Sequence, residues 1–178
     1  SEPAFDNEDE FEAIKRPFDE LVALGKRQGW LLNAEDIVLK PGEILGSGSF
    51  GVVVAAFLHG TAVAVKVPNA VEQRLQPVRL GSSANELCIL RQVRHPNIIL
   101  FFGAYIDTKS EEICLVLERV KGKHLGRYIG DLKSGEQVHT RWKLIIDVAC
   151  ALRYLHAQRP RIVHGDLKDG NILVASQE

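Results

Sequence analysis

The chain has 178 residues, 46% of them apolar, which is enough to bury one sizeable core and too apolar for a disordered polymer. Its 22 Lys and Arg against 23 Asp and Glu leave a net charge of −1, so composition gives no pull toward nucleic acid, and no apolar run reaches the length of a membrane span. Cys88, Cys114 and Cys150 lie far apart with no CxxC spacing, which excludes a disulfide framework and fits reduced thiols of an intracellular, cytoplasmic protein.

Residues 1–12 carry six carboxylates and no Lys or Arg, a solvated lead-in with no secretory signal pattern. The absence of Met, even at position 1, reads as a piece of a longer translated product. Phe11, Ile14, Phe18 and Leu21 follow helical spacing, Pro17 suits a first turn, and Gly25 or Gly29 ends the helix. A helix docked on the following domain and a plain linker both fit that pattern. From Ile37 the signals become strand-like: Ile37-Val38-Leu39 and Ile44-Leu45 flank Pro41-Gly42, then come Val52-Val53-Val54, a His59-Gly60 turn, and Thr61 to Val67. Ala84 to Val93 predicts a helix, and Ile98 to Ala104 and Ile113 to Leu117 two further strands. Trp142, Ile145, Ile146, Ala149 and Leu152 then mark a long helix. Short strands at Ile162-Val163 and Ile172-Leu173-Val174 bracket a polar loop. The chain carries no internal repeat.

Gly46-Ser47-Gly48-Ser49-Phe50-Gly51 is a G-x-G-x-x-G run, a weak signal alone because dinucleotide-binding folds share it. In those folds the glycines open a helix; here they open onto Val52-Val53-Val54-Ala55-Ala56, a good strand and a poor helix start. That counts against an oxidoreductase of the Rossmann type and leaves a strand–turn–strand flap, or an ordinary glycine-rich hairpin. In a flap over phosphates, Gly46 and Gly48 permit backbone approach and Phe50 at the tip shields the site from water. Lys66 ends an apolar strand, where a charge normally needs a partner. Glu86 on the following helix is the apt carboxylate. The bland alternative is two unrelated exposed charges.

Asp166, Lys168 and Asn171 fall within six residues in His164-Gly165-Asp166-Leu167-Lys168-Asp169-Gly170-Asn171. A carboxylate, an ammonium and an amide presented together suit phosphoryl transfer: the first orients a hydroxyl and accepts its proton, the second neutralises phosphate charge, and the amide oxygen binds Mg²⁺. As a lone motif, Asp-Gly-Asn would be a surface turn, and His164 alone would be a packed histidine.

From about residue 35 onward the chain resembles the tyrosine-kinase-like group of protein kinases, which includes Raf and mixed-lineage kinases. The likeness rests on the glycine loop, His59 to Lys66, Glu86, His95-Pro96-Asn97-Ile98, Phe101-Phe102-Gly103-Ala104, Tyr154-Leu155-His156 and the loop through Asn171-Ile172-Leu173. The resemblance implies an α+β bilobal fold, its small lobe a five-stranded antiparallel sheet with one helix, over 35–120. An acidic extension would occupy 1–34, and 121–178 would begin the large lobe. It implies a serine/threonine kinase using ATP and Mg²⁺ on protein substrates, with Asp166, Lys168, Lys66 and Glu86 catalytic and Asn171 on the metal. Val53, Ala64 and Leu173 would sandwich adenine, with Leu117 as gatekeeper and the backbone of Glu118 to Val120 reading the base edge. A regulatory or dimer partner is a further expectation, and a pseudokinase scaffold that binds without transfer is the alternative. Two departures stand out. Gly165 replaces the family's usual arginine, implying one fewer contact for an activation-loop phosphate. No Asp-Phe-Gly follows Asn171, so the chain is expected to stop short of the remaining large lobe, to leave the Trp142 face uncovered and to be nearly inactive alone.

Overall fold

The computed structural model describes residues 19–48, 51–68, 87, 89–107, 112–132 and 137–176. Ser49, Phe50, Glu86 and Cys88, together with Phe11, Ile14, Pro17 and Phe18 of the expected first helix, lie outside the described residues. Contacts divide the chain into two compact units, one holding the described residues through Arg91 with Phe102–Leu117, the other Gln92–Phe101 with Glu118 onward.

The first unit is built on a five-stranded antiparallel sheet of order β1-β2-β3-β5-β4, from β1 (Ile37–Gly48), β2 (Gly51–Leu58), β3 (Thr61–Val67), β4 (Phe101–Asp107) and β5 (Glu112–Glu118). Helix α1 over 19–28 precedes it. The two short runs expected around Pro41-Gly42 are a single strand. Its register against β2 shifts between Lys40 and Ile44 and again between Ile44 and Gly46, so a bulge absorbs the proline, which has no N–H for the ladder. The β2–β3 hairpin closes in two residues, Leu58 facing Thr61. His59 (φ 48) and Gly60 (φ 83) both adopt the positive φ that such a turn demands.

Period-two alternation sorts this sheet. Val54, Ala56 and Leu58 on β2, and Val63, Val65 and Val67 on β3, pack with Ile37, Tyr105, Cys114 and Val116 in the core cluster. Val53, Ala55, Ala62, Ala64 and Lys66 take the opposite face. Two expectations shift here. The strand expected from Ile98 begins at Phe101, because the Ile98 N–H closes a turn on the His95 carbonyl (3.0 Å). Of the helix expected over 84–93, residues 87, 89 and 90 are helical and Arg91 and Gln92 already form a turn.

The second unit holds α2 (Leu125–Asp131), α3 (Gln137–Ala157) and a two-stranded antiparallel sheet of β6 (Gly122–His124) and β7 (Leu173–Ala175). No strand forms at Ile162-Val163. The Ile162 N–H bonds the Leu155 carbonyl at the end of α3 (3.2 Å), and Val163 is 73% exposed. Trp142, Ile145 and Ile146 on α3 are each more than half exposed. Among the described residues no helix is long and apolar enough to cross a membrane.

Candidate active site

In the first unit the glycine loop is the tip of the β1–β2 hairpin, with Gly46 opposite Val53, Ser47 opposite Val52 and Gly48 opposite Gly51. The three described glycines differ in kind. A Cβ at Gly46 or Gly48 would meet nothing within 4 Å, so both stand beside open space. Gly51 has φ +126, and a Cβ there would lie 2.1 Å from the Val67 carbonyl oxygen; it is glycine because the neighbouring strand leaves no room. That role of Gly51 was hidden in the sequence, where it counts only as the last glycine of a motif.

Lys66 pairs directly with Val53 across the β2–β3 ladder, and Ala64 lies two residues before it on the same face. Because Cys114 and Val116 point into the core cluster, alternation along β5 turns Leu117 to the face that carries Val53, Ala64 and Lys66. Four of the predicted residues therefore share one sheet face. Lys66 is half-buried. The chain leaves this unit between Leu117 and Glu118.

In the second unit, Glu118 donates its N–H to the Leu100 carbonyl (2.8 Å), and its side-chain Oε2 accepts the Leu100 N–H (3.1 Å). The Glu118 amide is thus spent within the protein. Lys121 is fixed by its carbonyl accepting from Ser176 (2.8 Å). Leu173 sits opposite His124 in the β6–β7 pair, and a Cβ on Gly122 would fall 2.1 Å from the Val174 carbonyl.

The run from Arg94 to Asn97 is held from α3. The His95 ring packs tilted against the Tyr154 ring, centroids 5.2 Å apart, and the Tyr154 hydroxyl accepts the Arg94 N–H (2.9 Å), while Asn97 donates its Nδ2 to the Asp147 carbonyl (3.0 Å). These contacts give the His-Pro-Asn run a structural job that its sequence did not disclose. Further on, Asn171 donates its Nδ2 to the Asp166 carbonyl (2.7 Å) and to Asp166 Oδ2 (3.0 Å), and Lys168 Nζ meets the same Oδ2 at 2.8 Å. One carboxylate oxygen therefore gathers Asp166, Lys168 and Asn171. The hydrogen bond from Lys168, then that from Asn171, holds the Asp166 carboxyl below its ordinary range, although the side chain is exposed. His164 is exposed rather than packed, and its Nδ1 accepts the Asp166 N–H at 3.4 Å, so it orients the loop backbone. Gly165 lies at φ +73.

The donor set can be tested against a divalent cation. With the Asn171 Nδ2 committed to Asp166, its Oδ1 is left as a hard oxygen donor of the kind Mg²⁺ accepts alongside phosphate oxygens and water. The fit is one protein ligand. Among the described residues no cluster of three or more His, Cys, Asp or Glu could hold a metal by itself.

Residues 39–178 match the protein kinase domain (Pkinase). The serine/threonine-protein kinase CTR1 of Arabidopsis thaliana is 40% identical over 134 residues, which are 74% of this chain and 16% of that protein. The serine/threonine-protein kinase VIK of the same plant is 32% identical over 153 residues, 85% of this chain and 34% of VIK. The dual specificity protein kinase splA of Dictyostelium discoideum is 34% identical over 138 residues, 76% of this chain and 6% of its own length. The chain thus spans about a third or less of each. A domain match over most of the chain, on a five-stranded antiparallel sheet followed by a helical unit, places the chain in the protein kinase family.

Proposed function

We propose that the domain transfers the γ-phosphate of ATP to serine or threonine hydroxyls of protein substrates, as a member of the tyrosine-kinase-like group. The observation that carries this reading is the convergence of Lys168 Nζ and Asn171 Nδ2 on one oxygen of Asp166. Phosphoryl transfer asks a protein chiefly to position groups and to spread charge, and that constellation supplies both. A carboxylate held below its usual range is a weak base. Asp166 therefore orients the incoming hydroxyl through a hydrogen bond and takes its proton late, when the transferring group is already loosely bonded. Lys168 lies beside that oxygen and offsets charge developing on the phosphate. Bound Mg²⁺, which Asn171 Oδ1 would help to hold, supplies neutralisation of the phosphate oxygens.

Lys66 on β3, which faces Val53 on β2, holds the α- and β-phosphates, with Glu86 as the carboxylate that steadies it. Val53, Ala64 and Leu173 flank adenine, Leu117 is the gatekeeper, and the Glu118 carbonyl with Val120 reads the base edge. Gly46 to Gly51, with Ser47, Ser49 and Phe50, form the phosphate flap. Asn171 is the single metal ligand assigned, so these 178 residues on their own transfer phosphate poorly. The domain works inside a cell on protein partners.

Calorimetric titration of the full-length protein with ATP·Mg and with NAD tests the reading. Binding of ATP and not NAD is expected, with Lys66→Ala abolishing transfer and Asp166→Asn lowering kcat by roughly 10²–10⁴-fold without loss of ATP binding. ATP binding with no transfer from wild type would leave a pseudokinase scaffold; NAD binding without ATP would overturn the assignment.

A further inference from the structure

Residues 19–32 lie outside the stretch that matches the kinase domain, yet they are built into the first unit. Helix α1 ends at Gly29 (φ +71), and Trp30 then turns inward to 4% exposure. Ala104 of β4, the edge strand, donates its N–H to the Trp30 carbonyl (2.9 Å), and Leu32 returns its N–H to the Ala104 carbonyl (2.8 Å). Leu31 therefore pairs in parallel with Ala104 and covers the open edge of the sheet. Two glycines admit this approach. A Cβ on Gly25 would stand 2.8 Å from the Trp30 ring, and one on Gly103 would stand 2.6 Å from the Trp30 carbonyl oxygen and 2.8 Å from Leu32.

The segment also reaches past the edge. Gln28 Oε1 accepts from two donors, Trp30 Nε1 (3.1 Å) and Arg91 Nη1. Arg91 closes the last turn of the helix that follows Glu86 in sequence, its backbone N–H bonding the Leu87 carbonyl (3.1 Å), and Leu87 is fully buried. Among the described residues the buried Arg91 Nε has no hydrogen-bond partner, so removing the Gln28 acceptor would add a second unsatisfied donor on the same guanidinium.

We propose that residues 19–32 act as a strap that fixes this helical turn, with Gln28 and Arg91 as positioning residues for the Lys66–Glu86 pair. The proposal rests on the functional reading above for what the turn positions, though not for the strap itself. Glu86 directly precedes this turn in sequence, and misplacing a positioning group lowers turnover more than it weakens binding.

The experiment uses the full-length protein with Gln28→Ala, Arg91→Ala, the double variant, and Gln28→Glu, which keeps an acceptor oxygen. Hydrogen exchange at the amides of Leu87, Leu90 and Arg91 is read beside kcat and KM for ATP. Loss of a hydrogen bond to a charged group predicts that each alanine variant speeds exchange there by about tenfold or more. It also predicts a kcat lower by about tenfold with KM within about twofold. The double variant should be no worse than either single, and Gln28→Glu should restore both readouts. Unchanged exchange at these amides in Gln28→Ala, or additive losses in the double variant, would overturn the strap. A lower melting temperature with normal kcat in the folded protein would reduce it to a cover for the β4 edge. If wild type transfers no phosphate, the functional reading fails while the exchange measurement still decides on the strap.

Discussion

Replacing Gly51 with alanine separates the two kinds of glycine in the loop. The φ of +126 costs a residue with a Cβ about 1–3 kcal/mol. The new methyl would also lie 2.1 Å from the Val67 carbonyl oxygen and 2.9 Å from the Pro68 Cα, both backbone atoms that cannot swing aside. Forcing those strands apart is an overpacking defect of about 1–3 kcal/mol. A total near 4 kcal/mol corresponds to a fall in Tm of about 8–16 °C for a chain of this size. Gly46→Ala and Gly48→Ala meet open space and should cost under about 1 kcal/mol while weakening ATP binding. Thermal unfolding followed by tryptophan fluorescence reads the difference, because Trp30 is 4% exposed in the first unit whereas Trp142 is already 61% exposed. A Gly51→Ala protein melting within about 2 °C of wild type would refute the reasoning, as would a Gly46→Ala protein that melts equally early.

Gly103→Ala should destabilise the first unit by about 1–3 kcal/mol through its clash with the Trp30 carbonyl and Leu32, seen as an early red shift of Trp30 emission on heating. Asp166 should titrate below the ordinary carboxylate range by NMR, and Lys168→Met, which removes the largest cause, should move that titration upward. The sign follows from linkage: a carboxyl lowered in the folded state adds stability above its unfolded value, and that increment is lost as pH falls through the folded one. Gly165→Arg places a side chain at φ +73 and should cost about 1–2 kcal/mol by calorimetry, since nothing nearby clashes. With glycine there, turnover of the full-length enzyme should change only severalfold on phosphatase treatment. A hundredfold loss would mean that other groups supply the phosphate contact.

How much could be read in advance depended on whether the reason for a residue was local. Between Val52 and Val67, β-branched runs flank a two-residue turn, so Val53 opposite Lys66 follows by counting back from Leu58 and Thr61. Asp166, Lys168 and Asn171 are legible because all their mutual bonds span at most five residues. Ile162-Val163 has the composition of a strand but no partner, and composition cannot supply one. In contrast, β6 is three residues, too short for a pattern, and it pairs with β7, expected one residue earlier at 172–174, because Gly122 lets the two chains approach. Trp30 gave no signal either, since what buries it is Gly25 within α1 and a strand some seventy residues later.

Glycines show the limit most clearly, because a glycine records only the absence of a side chain and never says what occupies the space. Within one motif, Gly46 and Gly48 leave room that the protein does not fill, while Gly51 yields room to β3. That second function bears on the chemistry. The carbonyl that excludes a side chain at position 51 belongs to Val67, the residue after Lys66, and Val52 beside Gly51 pairs directly with Val67. The close approach that makes Gly51 obligatory therefore also pins the backbone next to the lysine, and the open and the anchored positions of the glycine loop, Gly48 and Gly51, stand three residues apart.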